Sequence, residues 1–383
     1  MTRFAPGDFL PKFRADSSIN PSFNFDSLAG HRFALVFVAS VNSEIGRALT
    51  QTLLDEAAWL TKHNILVYVV TTDKRDSNNE RLANFTERFT VFFDTDRAIH
   101  RLFGMEATPA DAVPGTLVLR VGALLVRENL RAQAYVAARP VEGFGERLRT
   151  AIAGYPIRVP AQAMQQHAPV LMIPDVVSPA YCRQLIDYYE AHGGGDSGFM
   201  RDVDGMTRGM LDPKMKRRKD CAIHDKALLT PLRRALETKV IPEIGKAFGY
   251  RVSQVERYII GCYAAADQGF FKAHRDNTSM ATSHRKFAMS LNLNSDEYEG
   301  GALRFPEYGP HTYKPGVGCA VIFSCSLLHE ATPVTQGRRY VVLPFLYDER
   351  GAAQRAETRQ FLAEQQAVPG AEPMIPVANL TAA

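Results

Sequence analysis

Four residues in the C-terminal half have the types and spacing to do chemistry: His274, Asp276, His329 and Arg339. His274 and Asp276 are two positions apart, so on an extended segment both side chains leave the same face. His329 follows the apolar run 320–323, which reads as a buried strand. Two imidazoles and one carboxylate on one side of a metal make the facial triad used by non-haem Fe(II), with open coordination positions opposite. Those open positions let a co-substrate and O2 meet on one ion, which a site closed by four protein ligands could not do. Arg339 comes ten residues after His329, with Pro333 and Gly337 framing a turn between them. The two therefore sit on adjacent antiparallel strands facing one interior. A guanidinium there can pair bidentately with the carboxylate that remains when an α-keto acid chelates the metal. Strand parity puts Arg339 with Val341 and Leu343, and turns Arg338 and Tyr340 to the opposite face.

Singly these residues say little, since the chain has ten histidines and a lone one is usually a core or surface residue. The order His-x-Asp, some fifty residues, His, then ten more to an Arg is much rarer, above all within short strands. Such strands are read at 255–263, 269–275, 286–293, 301–305, 319–324 and 339–346, broken by Gly, Pro and Asn, and they suggest an antiparallel sandwich or barrel. Ahead of them, Ser178-Pro179 reads as the N-cap and first residue of a helix running through 185–189. A long helix is expected around 228–247. The basic run of Lys214, Lys216, Arg217, Arg218 and Lys219 reads as a solvated loop, with substrate contact as the lesser alternative.

The first half alternates strand and helix. Runs 33–39 and 65–71 are short and apolar, as in buried strands, and 90–93 and 116–121 read as two more. Between the first two, Ile45, Leu49, Leu53, Ala57 and Leu60 share one helical face, with Asn42 or Ser43 as the cap. A last helix is expected near 143–153. Strand, helix, strand in this order argues for a parallel α/β core. The expected organisation is a domain over 1–155, a proline-spaced linker over 156–169, a second domain over 170–350 and a C-terminal tail over 351–383.

At 383 residues, two cores are expected rather than one. With 46% hydrophobic and 22% charged residues, the composition excludes collagen, coiled coil and wholesale disorder. A net charge of +4 gives no field that points to nucleic acid. No apolar run is long enough for a membrane span, and the N-terminus shows no secretory h-region. The five cysteines, Cys182, Cys221, Cys262, Cys319 and Cys325, form no C-x-x-C pair, which suits a reduced, cytoplasmic setting.

Residues from about 170 to 347 resemble a 2-oxoglutarate- and Fe(II)-dependent dioxygenase of the prolyl 4-hydroxylase type. The likeness rests on Cys262-Tyr263, Gly269-Phe270-Phe271, His274-Arg275-Asp276-Asn277, Ser290 to Asn294, Glu299 to Phe305, Lys314-Pro315-Gly316 and His329 to Val334. It implies a double-stranded β-helix (jelly roll) flanked by helices. It further implies Fe(2+) on His274, Asp276 and His329, Arg339 on the distal carboxylate of 2-oxoglutarate, and Tyr263 lining the same pocket. Asn292 stands where some relatives have Tyr. The activity implied is hydroxylation of a C–H bond with O2, releasing succinate and CO2, with ascorbate as the reductant. The substrate expected is a prolyl or other residue of a peptide or protein. The alternatives are a free amino acid or other small molecule, or an interaction module that binds iron and 2-oxoglutarate without turnover.

Residues 1 to about 155 resemble a peroxiredoxin/AhpC-type thioredoxin fold, on 6–13, the strand 33–39, Phe93 to Asp96 and Val113 to Thr116. The family's peroxidatic cysteine falls near Val41 to Ser43, where this chain has Val-Asn-Ser, so peroxidase activity is not expected. A scaffold, a substrate-presenting module or a homodimer surface is the expected role.

Overall fold

The apolar runs of the first half pair as their composition demands. The computed structural model describes residues 4–78, 85–107, 118–156 and 167–363, and the chain divides into two units, residues 1–160 and 161–383. In the first, Arg32–Val38 and Ile65–Thr71 pair in parallel, and Thr90–Phe93 pairs in parallel with the latter. The crossover between the first two strands is the helix Glu44–Asp55, whose Ser43 cap accepts from the Gly46 N–H, followed by the short helix Ala57–Lys62. An antiparallel hairpin, Gly122–Val126 and Ala132–Ala137, completes a five-stranded sheet. Leu49, Leu53 and Leu148 cover one face of it, and Phe25, Phe33, Phe37, Phe92 and Phe103 fill the other. A parallel βαβ followed by an antiparallel hairpin and a closing helix is the thioredoxin-like arrangement. This hairpin is not among the strands expected from the sequence. Val113 to Thr116, and the start of the strand expected over 116–121, lie outside the described residues.

No thiol stands at the start of the Glu44–Asp55 helix. The buried Asp76 carboxyl fills that position, accepting from the Val41 N–H at 2.9 Å, the Thr71 hydroxyl at 2.5 Å and the Ser40 hydroxyl at 3.0 Å. A thiolate placed there would face that carboxyl, which disfavours the anion a peroxidase needs.

The second unit is built of two facing antiparallel sheets, the double-stranded β-helix. The larger has the order Leu171–Ile173, Ala320–Ser324, Phe287–Asn292, Val334–Val342, Ile259–Ala264, Lys219–Ala222, Gly195–Asp196. The smaller runs Lys216–Arg217, Phe270–His274, His329–Ala331, Leu303–Arg304, Thr312–Tyr313. The helix Pro179–His192, capped by Ser178, packs with Leu232, Leu236 and Ile244 on the outer face of the larger sheet. Between the sheets lie Tyr263, Phe271, Tyr298, Ala331, Val334 and Val341. The helix expected over 228–247 is divided into Lys226–Ala235 and Ile241–Phe248 by a π-helical turn, Leu236–Val240. Pro242 explains the break, because it has no N–H for the carbonyl four residues back. Most of the expected linker, 157–166, and residues 364–383 of the expected tail lie outside the described residues. The helix Glu349–Thr358 begins before residue 350 and is tied to the barrel unit, with the Gln354 amide donating to Ser283 at 3.0 Å.

Gly300 and Gly301 both have positive φ, +70° and +59°, where the chain turns between the facing sheets. A Cβ on Gly300 would lie 2.2 Å from the Pro333 carbonyl oxygen, and one on Gly301 would lie 2.7 Å from Val334 and 3.2 Å from the Arg339 side chain. This turn therefore helps to set where Arg339 lies. Gly300→Ala combines a backbone clash with an unfavourable φ and should lower unfolding stability by about 2 kcal/mol or more; urea denaturation measures it, and an unchanged midpoint contradicts the turn geometry.

Candidate functional site

Sheet register brings the two distant histidines together. His274 ends the Phe270–His274 strand, His329 opens His329–Ala331, and the two are antiparallel partners with ring centroids 4.3 Å apart. Asp276 follows in the turn, its N–H donating to the Cys325 carbonyl at 3.0 Å. Its carboxylate oxygens lie 3.5 Å from His274 Nε2 and 3.4 Å from His329 Nε2. One ligand atom from each of the three falls within 4.8 Å of the others.

The protonation state follows from the partners on the far side of each ring. His274 Nδ1 lies 2.7 Å from the Lys272 carbonyl and His329 Nδ1 lies 3.0 Å from the Leu327 carbonyl. A carbonyl only accepts, so Nδ1 is the donor on each ring, and Nε2 is the atom turned toward Asp276. Burial, opposed by Asp276 and reinforced by His274, pulls His329 down to about 4, so it is neutral at physiological pH. Burial raises the Asp276 carboxyl, but His329 and His274 outweigh it and hold it below the ordinary range. One carboxylate and two imidazole nitrogens thus face one another, a donor set that suits Fe(II).

Arg339 and Val341 lie together between the sheets, while Arg338 and Tyr340 meet Glu190 on the opposite side. Arg339 is 2% exposed, donates through Nη2 to Ser290 Oγ at 3.0 Å and Asn292 Oδ1 at 3.5 Å, and leaves its buried Nε without a partner. A buried guanidinium with an unused donor is costly unless an anion completes it. The residues therefore fit a carboxylate. Tyr263 is buried beside it, with the Arg339 Cζ 5.3 Å from its ring centre. Asn292 is held by its own amide donating to the Pro315 carbonyl and Ser295 Oγ, so its oxygen is fixed toward Arg339.

The basic run is not a solvated loop. Lys216 and Arg218 are buried, whereas Arg217 is half-buried and Lys219 exposed. Lys216 donates to Ser197 Oγ and the Gly198 carbonyl, and Arg218 forms a bidentate pair with Asp220 at 2.6 and 2.7 Å. The correction has a simple physical cause: these residues lie on strands that wall the barrel, so alternate side chains point inward. That alternation was the signal available in the sequence. A second buried cluster, Glu256 with Arg285 and His284, also escaped it. Lys216, Arg218, Asp220, Glu256, Arg285, His274, Asp276, His329 and Arg339 all line one cavity of about 1540 Å³.

Residues 254–347 match the model of the 2OG-Fe(II) oxygenase superfamily. A PKHD-type hydroxylase of Paracoccus denitrificans is 26% identical over 185 residues, covering 45% of this chain and 74% of that relative. One from Cupriavidus metallidurans is 29% identical over 45% of this chain and 75% of the relative. A multifunctional procollagen lysine hydroxylase and glycosyltransferase of Caenorhabditis elegans is 25% identical, and the match spans 26% of its length. Among solved structures, a Trichoplax adhaerens prolyl hydroxylase in complex with a peptide fragment of hypoxia inducible factor has a TM-score of 0.40, with 16% identity over 49% of this chain and 86% of that one. Over another part, a Xanthomonas campestris peroxiredoxin Q has a TM-score of 0.33, with 18% identity over 39% of this chain and 98% of that one. The C-terminal region thus carries a 2OG-Fe(II) oxygenase domain, and the chain is an oxidoreductase of the dioxygenase class. Iron and 2-oxoglutarate are features of that family. No helix among the described residues is long and apolar enough to cross a membrane.

Glu256 gives a test of the cavity wall. Burial raises its carboxyl, but Arg285 and His284 outweigh it and hold it well below the usual range. Its contribution is therefore full above an unfolded value of about 4.3 and is lost as pH falls through the lower folded value. Glu256→Gln leaves a buried guanidinium without its counter-charge and should cost about 3 kcal/mol at pH 7. Denaturation of both proteins over a pH series should show that gap shrinking below about pH 4; a gap independent of pH contradicts the assignment.

Proposed function

We propose that the chain is an Fe(II)- and 2-oxoglutarate-dependent hydroxylase in which His274, Asp276 and His329 hold the metal and Arg339 pairs the distal carboxylate of 2-oxoglutarate. The observation that carries this reading is the convergence of one ligand atom each from His274, Asp276 and His329, in a cavity that also holds a buried arginine with an unused donor. With O2, the bound metal and 2-oxoglutarate supply the chemistry that puts a hydroxyl on a C–H bond and releases succinate and CO2. The chain's own residues orient that chemistry. Carbonyls of Lys272 and Leu327 fix the imidazole tautomers, and the Cys325 carbonyl, with Arg285 on the Asp276 carbonyl, fixes the turn carrying the carboxylate. Ser290 and Asn292 hold the Arg339 plane, and the Tyr263 ring shields it from water.

The relatives' names, prolyl and lysine hydroxylases among them, support a residue of a peptide or protein as substrate. A small-molecule substrate is the second reading, and the charge lining the cavity favours it. Ascorbate as reductant and a homodimer through the thioredoxin-like domain belong to the same proposal. The five cysteines, none of them in a C-x-x-C pair, support a reducing, cytoplasmic setting.

His274→Ala, Asp276→Ala and His329→Ala should each abolish succinate formation from 2-oxoglutarate and iron retention while leaving the circular dichroism spectrum unchanged; full activity in any of them removes the assignment. Arg339→Ala should raise the KM for 2-oxoglutarate about tenfold or more. Arg338→Ala, on the outer face beside Glu190, should leave it within about twofold. The reverse order would show that the wrong arginine has been assigned.

A further inference from the structure

The cavity holds more positive charge than its own carboxylates balance, and the surplus lies apart from Arg339. Arg218 is paired with Asp220, and Arg285 with Glu256. Arg257 and Lys216 line the same cavity, yet among the described residues neither is within ion-pair distance of a carboxylate. Arg257 Nε is buried with no hydrogen-bond partner. Its guanidinium lies 4.5 Å from the centre of the Phe345 ring, which Arg285 also covers, at 4.0 Å. Arg285 in turn reaches the Asp276 carbonyl at 3.4 Å, so this ring connects Arg257 to the candidate metal ligands. The backbone at Arg257 has φ +55°, interrupting the extended chain between Gln254–Glu256 and Ile259–Ala264. A long side chain in that conformation costs free energy and marks a position held for a purpose beyond sheet pairing.

Buried charges are paired in folded proteins because an unpaired one loses its hydration without compensation. Burial and the neighbouring Arg285 and Arg218 pull Arg257 down to about 10, which still leaves it charged at neutral pH. The distal carboxylate of 2-oxoglutarate is already assigned to Arg339. Arg257 is half-buried and feels Asp220 and Glu256, but its buried Nε still has no acceptor, and the remaining molecule that must enter this cavity is the substrate.

We propose that the hydroxylated substrate carries its own carboxylate, which Arg257 binds with Lys216 near it as a second cation. This rests on the hydroxylase reading above and narrows its substrate class. Burial and Arg218 pull Lys216, bonded to the neutral Ser197 and Gly198 oxygens, well below the usual lysine range, and an incoming anion favours its charged form. The same carboxylate can come from a small carboxylic acid or from an acidic side chain of a peptide, and the test separates the two.

The full chain is loaded with Mn(II) and 2-oxoglutarate, and binding is followed by calorimetry. The probes are N-acetyl-L-proline and N-acetyl-L-lysine, each against its primary amide, and blocked prolyl tetrapeptides containing Asp, each against its Asn counterpart. At least one acid should bind about tenfold or more tightly than its neutral twin. Arg257→Gln should remove that preference and Arg257→Lys should restore part of it, with 2-oxoglutarate affinity unchanged in both. A preference among the N-acetyl acids identifies a small-molecule source, and one among the peptides an acidic peptide. Equal binding of acids and neutral twins, no acid binding up to about 10 mM, or a preference that survives Arg257→Gln overturns the proposal. Failure of 2-oxoglutarate itself to bind the Mn(II) form would instead count against the hydroxylase reading.

Discussion

The pairing of His274 with His329 across two short strands is the constraint on which the rest depends. Each ring is pinned by a carbonyl two residues back along its own chain, so the strands fix the tautomers as well as the positions. The result is three candidate ligand atoms within 4.8 Å of one another. Side-chain packing keeps them there. Phe271 against His274, and Phe323 against His329, show the packing that does so.

The larger sheet answers this from the other side. Tyr263, Arg339 and Val341 face inward while Tyr340 and Val342 pack against the helices, so one strand serves both the pocket and the outer core. A one-residue slip would turn Arg339 outward and put Arg338 or Tyr340 in its place, away from Ser290 and Asn292. The glycine turn at 300–301, the Asn292 amide and the strand register all act against that slip. Stability and chemistry are here the same set of contacts.

The thioredoxin-like unit shows the opposite relation between fold and site. Its βαβ and hairpin are complete, and the helix that would present a nucleophile is properly capped, but by a serine beside a buried carboxyl. The scaffold survives because its stability lies in the two apolar layers around the sheet, none of which requires a thiol.

Much of this was legible in the sequence wherever a short period carried it. His-x-Asp, the inward parity of Arg339 and the apolar strands all follow from the two-residue repeat of extended chain, and the Ser178 and Ser43 caps from local hydrogen bonding. The Arg218–Asp220 pair, the Glu256 cluster and Arg257 were not read, because their meaning depends on which charges meet across different strands. Lys216 and Arg218 carried an alternation, but a run of lysines and arginines resembles a solvated surface until its neighbours are known. The π-turn at Leu236–Val240 needed Pro242 to be weighed against a strong helical pattern.

The most direct measurement is an anaerobic titration of the chelator-stripped full chain with Fe(II), followed by calorimetry and thermal unfolding. One saturable equivalent that raises the melting temperature is expected, because binding to the folded state alone stabilises it. No saturable binding, or binding that leaves the melting temperature unmoved, would contradict the claim that these three side chains await a metal.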